Sequence, residues 1–200
     1  MCLPRKFDAS KKVSNEDLET IKEAIRLVSS SYGLQPYTLF IIENPELRAK
    51  LQPAAWNQAQ IVGASQVSVF ANNINFGDTD IDTYIQNLLR TRGMELEAVK
   101  GYADFMKIKI NVLTEEQRNI WTSKQSYLAL GNLLNVAAEL KIDLTPMKGF
   151  ESEKVNEILG LTQKGWNASL IAAIGYRHEE GITQHFAKVR KLNEELFINL

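Results

Sequence analysis

One long segment of the chain is apolar on nearly every face of the helix that its pattern predicts. Between Tyr127 and Leu140, polar side chains interrupt it mainly at Asn132, Asn135 and Glu139. A helix that covers the surface of a 200-residue protein normally has one apolar stripe and one polar face. The pattern therefore predicts a helix buried from several directions, either by its own domain alone or with a second subunit.

The same segment has a recognisable start and a recognisable exit. Thr114, followed by Glu115-Glu116-Gln117, predicts the N-cap and first turn of the helix. Beyond the helix, the short apolar run Leu144–Met147 stops at Lys148-Gly149. A glycine at the exit of a buried segment lets the backbone offer its N–H groups to a ligand. The segment therefore also predicts a binding site beside the long helix.

The remaining hydrophobic pattern mixes helices and strands. Helices are predicted after Ser14, from Pro45, and over residues 53–65, 81–92, 95–111 and 152–159, and strands over residues 37–42, 66–71 and 168–175. This order indicates an α+β fold with a helical insertion around residues 80–111, rather than regular βαβ alternation. The length fits one domain over residues 1–200.

Composition narrows the class of protein. The chain is 44% hydrophobic and 24% charged, with a net charge of −1, so no basic excess indicates a nucleic-acid partner. One cysteine, Cys2, excludes an internal disulfide and fits a reducing compartment. No apolar run is long enough to cross a bilayer, and the N-terminus lacks the apolar core of a signal peptide. We therefore expect a cytoplasmic protein without a membrane partner.

Common motifs of catalysis by the protein's own side chains are absent from the sequence. It contains no G-x-G-x-x-G, P-loop, H-E-x-x-H, G-x-S-x-G or clustered Cys/His motif. The histidines, His178 and His185, lie in a charged C-terminal segment, where a solvated surface position is the more frequent case. A metal site is therefore not expected, and an enzyme of this sequence would take its chemistry from a cofactor.

Two pairs of polar side chains remain as candidates for binding. Lys188 and Arg190 are two residues apart, which places both on one face of an extended segment, and converging cations suit a phosphate. Asn57 and Gln60 share a face of the predicted helix 53–65, and paired amides could bind the donor–acceptor edge of a heterocycle. Each signal is weak alone, because such cations are more often a solvated face and such amides as often cap a helix or line a partly exposed helix face.

Seven short stretches, taken in order, carry a family resemblance. They are RKFDASKK (5–12), SSSYGLQPY (29–37), AAWNQAQ (54–60), KQSYLALGNLL (124–134), PMKGF (146–150), GYR (175–177) and KVR (188–190). Together they resemble the nitroreductase family of FMN-dependent NAD(P)H oxidoreductases, in its oxygen-insensitive bacterial type. The resemblance spans essentially the whole chain, and the long apolar helix leading into P-x-x-G-F is its most specific element.

The resemblance implies a nitroreductase-like α+β fold with a central, mostly antiparallel sheet flanked by helices. It implies an intertwined homodimer with the long helix at its core and FMN at the subunit interface. The C-terminal segment Glu195–Leu200 would join the partner's sheet.

The resemblance also implies which residues contact the flavin ring. Arg5 would lie near the pyrimidine edge, Asn57 would bind the imide, and Gln60 stands at the same edge, where some relatives carry lysine. Lys148 and Gly149 would donate backbone N–H groups toward the hydride-accepting nitrogen and the adjacent carbonyl. The side chain of Lys148 would then be free.

The other implied contacts concern the second ring face and the phosphate. Pro146 would pack on one face of the ring, Lys188 and Arg190 would hold the phosphate, and Ser30 and Ser31 would line its surroundings.

The substrate pocket would lie above the other face of the ring. Tyr32, Gly33 and Gln35 would border it, and Tyr102 or Phe105 on the helical insertion would form its lid. No catalytic side chain is implied, since the flavin carries the chemistry.

Two positions at the start of the chain depart from the family pattern. Met1 and Leu3 stand where family members carry an arginine and a serine that hold the phosphate. Two such hydrogen bonds contribute on the order of 1.5–3 kcal/mol each, so FMN affinity would fall by roughly one to four powers of ten. Either the start of the chain is truncated, or Lys188 and Arg190 suffice.

The resemblance implies hydride transfer from NAD(P)H through FMN to nitroaromatics, quinones or similar acceptors, with ping-pong kinetics. One alternative is a flavin-binding dimer with little turnover because of the shortened N-terminus, and another is a structural α+β dimer without cofactor. The sequence shows no recognisable site for the extra phosphate of NADPH, so the choice between NADH and NADPH stays open.

Overall fold

The computed structural model describes residues 4–200, so the departure at Met1 and Leu3 lies outside the described residues. The helices are α1 (Asn15–Arg26), α2 (Pro45–Ala54), α3 (Gln60–Gly63), α4 (Asp78–Arg92), α5 (Lys100–Asn111), α6 (Glu115–Glu139), α7 (Ser152–Leu159) and α8 (Asn193–Leu196). The strands are β1 (Tyr37–Ile42), β2 (Gln66–Asn73), β3 (Asp143–Met147) and β4 (Trp166–Gly175). The predicted α+β order is confirmed.

A four-stranded antiparallel sheet forms the centre of the described residues. Its order is β1-β2-β4-β3, which makes β1 and β3 the two edge strands. Side chains alternate between the two faces, as the pleat requires. Helices α1 and α6 cover one face with Phe70 and Leu170, whereas α2, α3 and α7 cover the other with Val69 and Ile171. The interior strands are therefore buried on both sides.

Side-chain capping explains where two helices begin. The hydroxyl of Ser14 accepts a hydrogen bond from the backbone N–H of Asp17 at 3.1 Å. At α6, the Thr114 hydroxyl accepts from the Gln117 N–H at 3.2 Å, and the Gln117 side chain accepts from the Thr114 N–H at 2.9 Å. This reciprocal capping box satisfies two otherwise unpaired donors. The start predicted at Thr114 is confirmed.

A single chain buries only part of the long helix α6. Ala129, Leu133 and Ala137 pack in the core beneath it, whereas Tyr127 and Leu128 are 45% and 51% exposed. The all-round apolar pattern therefore includes a side that this chain does not cover. None of the described helices is long and apolar enough to span a membrane.

The predicted helix over residues 53–65 is wrong. Helix α2 ends at Ala54 and α3 begins only at Gln60. Between them, Trp56 and Asn57 have φ angles of 54° and 55°, in the left-handed region that ends a helix. Asn57 and Gln60 therefore do not share a helical face. Apolar spacing continues through this segment, and spacing cannot reveal a backbone that reverses its hand.

The insertion consists of α4 and α5, which have a small core of their own. Phe76, Ile81, Ile85, Met106 and Ile110 are buried between them. The predicted insertion around residues 80–111 agrees with these helices, although the segment before Lys100 is irregular apart from one short 3-10 turn.

Candidate functional site

The exit of β3 packs tightly against the loop between α2 and α3. We call this cluster the β3-edge group, and it comprises Trp56, Asn57, Gln58, Lys148 and Gly149. The Gln58 side chain donates a hydrogen bond to the carbonyl of Gly149 at 2.8 Å. A Cβ at position 149 would lie 2.6 Å from Cζ3 of Trp56. Only glycine leaves room for this contact, so residue 149 presents backbone alone.

The side chain of Lys148 is not free, contrary to the expectation from the resemblance. Its ammonium donates to the carbonyl of Ser169 at 2.8 Å and lies 5.6 Å from the ring centre of Phe150. Ser169 has no partner in the β2–β4 register, which shifts between Phe70 and Ala71. A residue that bulges out of a ladder leaves its carbonyl available. The ammonium therefore bonds back to the sheet.

A buried polar network, which the sequence did not indicate as a site, links this bulge to α6. The Ser169 hydroxyl donates to the side-chain carbonyl of Asn72 at 2.6 Å, and the Asn72 amide donates to the hydroxyl of Thr122 at 2.9 Å. All three side chains are buried. The sequence does contain a signal for this network, since an amide and a hydroxyl lie inside otherwise apolar strands. Buried polar groups need hydrogen-bond partners.

The N-terminal segment places Arg5 beside β3. The carbonyl of Pro4 accepts a hydrogen bond from the Thr145 hydroxyl at 2.6 Å, and the N–H of Asp8 donates to the carbonyl of Tyr176 at 2.8 Å. Arg5 itself is exposed, and Pro146 is half-buried in the neighbouring strand. The segment is thus held on the same side of the sheet as the β3-edge group.

Ion pairing and hydrogen bonding fix the charges around this segment. The side chain of Arg177 donates to both carboxylate oxygens of buried Asp143. The backbone N–H of Arg177 donates to Oδ2 of the same carboxylate at 2.9 Å. Hydrogen bonds from Ser10, opposed by a small desolvation cost and aided by Lys11, lower the pKa of Asp8 to about 2. Asp8 therefore stays ionised near neutral pH and cannot act as a proton donor there.

A second cluster lies at the other edge of the sheet, just before β1. We call it the β1-edge group, and it comprises Ser30, Ser31, Tyr32, Gly33 and Gln35. Its backbone turns sharply, because Tyr32, Gly33 and Gln35 have φ angles of 57°, 77° and 43°. The Ser30 hydroxyl accepts from the N–H of Gln35 at 3.0 Å, and the N–H of Ser31 donates to the side chain of Gln125 on α6 at 2.8 Å.

The helical insertion covers this turn with aromatic side chains. The rings of Tyr32 and Phe105 meet edge to face, with centres 6.2 Å apart. A Cβ at Gly33 would lie 3.1 Å from the hydroxyl oxygen of Tyr84. Burial and then the neighbouring Tyr84 and Tyr32 raise the pKa of Tyr102. Tyr102 and Phe105 therefore stand next to the turn, as the predicted lid requires.

The two groups do not converge within one chain. Residues 30–35 lead into β1 and residues 148–149 leave β3, and two strands separate these edges. Three interstrand spacings amount to about 14 Å. Among residues 4–200, no hydrogen bond, ion pair or ring contact joins the two groups. Within the described residues the two groups are therefore separate clusters at the two edges of the sheet.

The remaining predicted site residues stand apart from both groups. Lys188 and Arg190 are exposed in the tail, where the Arg190 guanidinium donates only to the carbonyl of Val189 at 2.7 Å within the described residues. Gln60 is buried at the start of α3, with 7% of its surface exposed. Their roles in phosphate and ring binding stay predictions.

The β3-edge group fits the ring system of a flavin. The six-membered ring of Trp56 already occupies the space where a side chain at Gly149 would start, so a planar aromatic group can lie against this backbone. Trp56 is 64% exposed, and Asn57 beside it is exposed as well. An open amide, a bare backbone edge and a flat wall are the features that a planar heterocycle requires.

Comparison with known sequences identifies the family of this chain. The family model described as the Nitroreductase family matches residues 4–176. The Major NAD(P)H-flavin oxidoreductase of Aliivibrio fischeri is 33% identical over 199 residues, which cover 96% of this chain and 91% of that protein. The family predicted from the seven stretches is therefore confirmed.

Comparison with solved structures concerns the fold. A nitroreductase-like protein from Streptococcus mutans has a TM-score of 0.86 at 19% identity and covers 99% of this chain and 93% of its own. A structure from Exiguobacterium sibiricum, solved in complex with FMN, has a TM-score of 0.84 at 21% identity, with 99% and 92% covered. The predicted fold is confirmed. By sequence and by fold, this chain belongs to the nitroreductase family.

Proposed function

We propose that this chain is an FMN-dependent oxidoreductase that transfers hydride from NAD(P)H to nitroaromatics, quinones or similar acceptors. The β3-edge group carries the proposal, because Trp56 leaves no space for a side chain at position 149 and Gly149 presents only backbone atoms. FMN, when bound, supplies the redox chemistry, so the protein need not provide a nucleophile.

Each residue of the group has a task in holding the ring. The backbone N–H groups of Lys148 and Gly149 would donate to its redox edge, and Asn57 would bind its imide. Gln58 holds the carbonyl of Gly149, which keeps the neighbouring N–H groups in a fixed orientation. The ammonium of Lys148, held on Ser169, keeps a positive charge close to this edge. A fixed cation favours any negative charge that develops there.

A homodimer would complete the site, and three exposed apolar regions support it. The uncovered side of α6 carries Tyr127 and Leu128, and the tail carries exposed Phe197 and Ile198. A groove of about 400 Å³ runs beside edge strand β1 and is lined partly by Ile21, Ile25, Leu39 and Ile41. Edge strands and exposed apolar patches are typical places for association.

The dimer we propose places residues 195–200 of one subunit on the β1 edge of its partner. The β1-edge group of one subunit would then face the β3-edge group of the other, with Tyr102 or Phe105 as a lid. Donor and acceptor would use the same open face of the ring in turn, which gives ping-pong kinetics.

An absorbance spectrum tests the proposal directly. The purified protein should show a flavin spectrum that NADH or NADPH bleaches and a quinone restores, and denaturation should release FMN. A colourless protein that added FMN cannot reconstitute would refute the function. Bound flavin without turnover would instead support a flavin-binding dimer.

The predicted phosphate ligands need a separate test. We expect the double substitution Lys188→Ala and Arg190→Ala to weaken FMN binding roughly tenfold to hundredfold per cation, since charge-assisted hydrogen bonds are lost. Lys191→Ala, which removes a neighbouring tail cation, is the matched control. Equal FMN affinity in the double variant and the control would contradict the phosphate assignment.

A further inference from the structure

The insertion carries cations of two kinds. Lys100 lies 2.6 Å from Asp104 and Lys107 lies 2.6 Å from Asp82, so a carboxylate already neutralises each of them. These pairs are the ordinary state of exposed charges on a helix and contribute little to binding. Three other cations of α4 and α5 behave differently.

Arg90, Arg92 and Lys109 have no carboxylate partner within the described part of the chain. The Arg90 guanidinium donates to the side-chain carbonyl of Asn87 at 2.9 Å, and the Lys109 ammonium lies 5.5 Å from the ring centre of Phe105. Neither contact neutralises charge. The insertion therefore presents positive charge that its own acidic residues leave available for an anion.

Two of these cations, Arg92 and Lys109, lie beside exposed aromatic side chains. Tyr102 and Phe105 are 41% and 45% exposed, and Phe105 packs edge to face on Tyr32. Arg92 lies close enough to Tyr102 to oppose the rise in its pKa that burial causes. Aromatic side chains of this kind bind heterocyclic bases by stacking.

A cavity beside this surface joins Arg90 to the predicted substrate pocket. It has a volume of about 940 Å³, and its lining includes Arg90, Tyr84, Gly33 and Gln35. Asp80 also lines it, with its carboxylate held by the Asn73 side chain and the Gly77 N–H. The Tyr84 hydroxyl group is also the nearest neighbour of Gly33. A ligand bound at the β1-edge group could therefore extend along the cavity to Arg90.

We propose that Arg90, Arg92 and Lys109 bind the phosphates at the adenosine end of the hydride donor, with its base on Tyr102 and Phe105. The inference rests on the proposed function and names its donor as NADPH. The 2′-phosphate of NADPH carries about −1.5 to −2 charges at pH 7, beyond the charge of the pyrophosphate that both donors share. Arginine binds such groups through paired N–H donors. Three unneutralised cations therefore favour NADPH over NADH.

Calorimetric titration with two fragments of the donor tests the site. Adenosine 2′,5′-bisphosphate should bind the purified protein more tightly than adenosine 5′-monophosphate does, and salt should weaken the difference. Arg90→Ala with Arg92→Ala should weaken bisphosphate binding by roughly tenfold or more. Lys100→Ala is the matched control, because it removes a cation that Asp104 already neutralises.

Two results would overturn the inference: equal affinity for both fragments in the unmodified protein, or equal bisphosphate affinity in the double variant and the control. Kinetics separate it from the proposed function. In the FMN-loaded double variant, kcat/KM should fall more for NADPH than for NADH, with kcat and FMN content kept. An unchanged NADPH-to-NADH ratio in a yellow, active enzyme would refute this inference alone. A chain without FMN would refute the proposed function, whereas fragment binding could still be measured.

Discussion

The two edges of the sheet hold the two halves of the proposed site in different ways. At the β3-edge group, backbone and close packing fix the geometry, because Trp56 leaves no space for a Cβ at Gly149 and Gln58 holds its carbonyl. At the β1-edge group, a left-handed turn is held by hydrogen bonds from Gln35 to Ser30 and from Ser31 to Gln125 and by cover from the insertion.

This difference matches what each half must do. A group that holds a cofactor needs a fixed geometry, which backbone atoms on a packed edge provide. A group that admits two substrates in turn can be built from side chains on a turn and a neighbouring helix pair, where changes are tolerated. The comparison predicts that damage at one edge should leave the other largely intact.

Loss of the buried guanidinium of Arg48 should have the largest effect, since it removes three hydrogen bonds that hold β1 and the start of β2 together. It donates to the carbonyls of Ile42, Ala64 and Ser65 at 2.9, 2.6 and 2.7 Å, which ties the end of β1 to the loop before β2. Burial lowers its pKa, opposed by Glu43. We expect Arg48→Met to reduce the free energy of unfolding by about 3 kcal/mol in urea titrations, because three carbonyls lose their donor.

The control for Arg48→Met is Lys50→Met on the exposed side of the same helix. A loss of stability no larger than that of the control would show that water can replace the guanidinium at these three carbonyls.

Gly149→Val should act on the β3 edge alone. The new side chain would meet Trp56 at less than van der Waals distance, at an expected cost of about 1–3 kcal/mol for overpacking. It should also reduce FMN retention, measured by absorbance after gel filtration. Adding Trp56→Ala should restore stability, and Gly101→Ala, where a Cβ meets nothing within 4 Å, should be neutral. Failure of Trp56→Ala to restore the stability of Gly149→Val would contradict the steric account.

Gln125→Leu should act on the β1 edge with a smaller effect. Gln125 is buried and accepts from the N–H of Ser31, so its loss leaves that donor unpaired, at a cost of about 1 kcal/mol. Hydrogen exchange should quicken at residues 30–35 and stay unchanged at residues 148–150. Equal changes at both places would show that the two edges are coupled within a chain.

The smallest effect should come from Asp8, which holds the N-terminal segment near β3. Its pKa is lowered from 3.8 to about 2, chiefly by the hydrogen bond from Ser10. The ionised form is thus favoured in the folded protein, and its contribution is complete above pH 3.8 and is lost as the pH falls toward 2. Carbon-detected NMR titration should find this low pKa. Asp8→Asn should remove this part of the pH dependence of the free energy of unfolding. A carboxyl that titrates near 3.8 would contradict the contact.

Local signals in the sequence predicted most elements correctly. The strand Tyr37–Ile42 and the helix Ser152–Leu159 were predicted with their observed bounds, and Thr114 marked the start of α6. Capping side chains and apolar spacing act within a few residues, so they can be read locally. The left-handed pair Trp56 and Asn57 was missed because neighbouring spacing says nothing about its φ angles.

Some features of the candidate site could likewise be predicted from local sequence, and others could not. The motifs around Asn57, Gly149 and Tyr32 indicated the family and the class of cofactor. The anchoring of Lys148 on Ser169 could not be predicted, because it depends on a bulge in a strand 21 residues away. Likewise, nothing local distinguishes Arg92 from Lys107, whose partner Asp82 lies on another helix.

By itself, the sequence determined most of the elements and the family and predicted which short stretches carry the site, because periodicity, caps and motifs are properties of neighbouring residues. Only the tertiary structure decided that these stretches fall on opposite edges of one sheet, that Gly149 is covered by an indole, and that three cations of the insertion lack carboxylate partners among the described residues. Those facts depend on which distant side chains meet, and packing of the whole chain sets that.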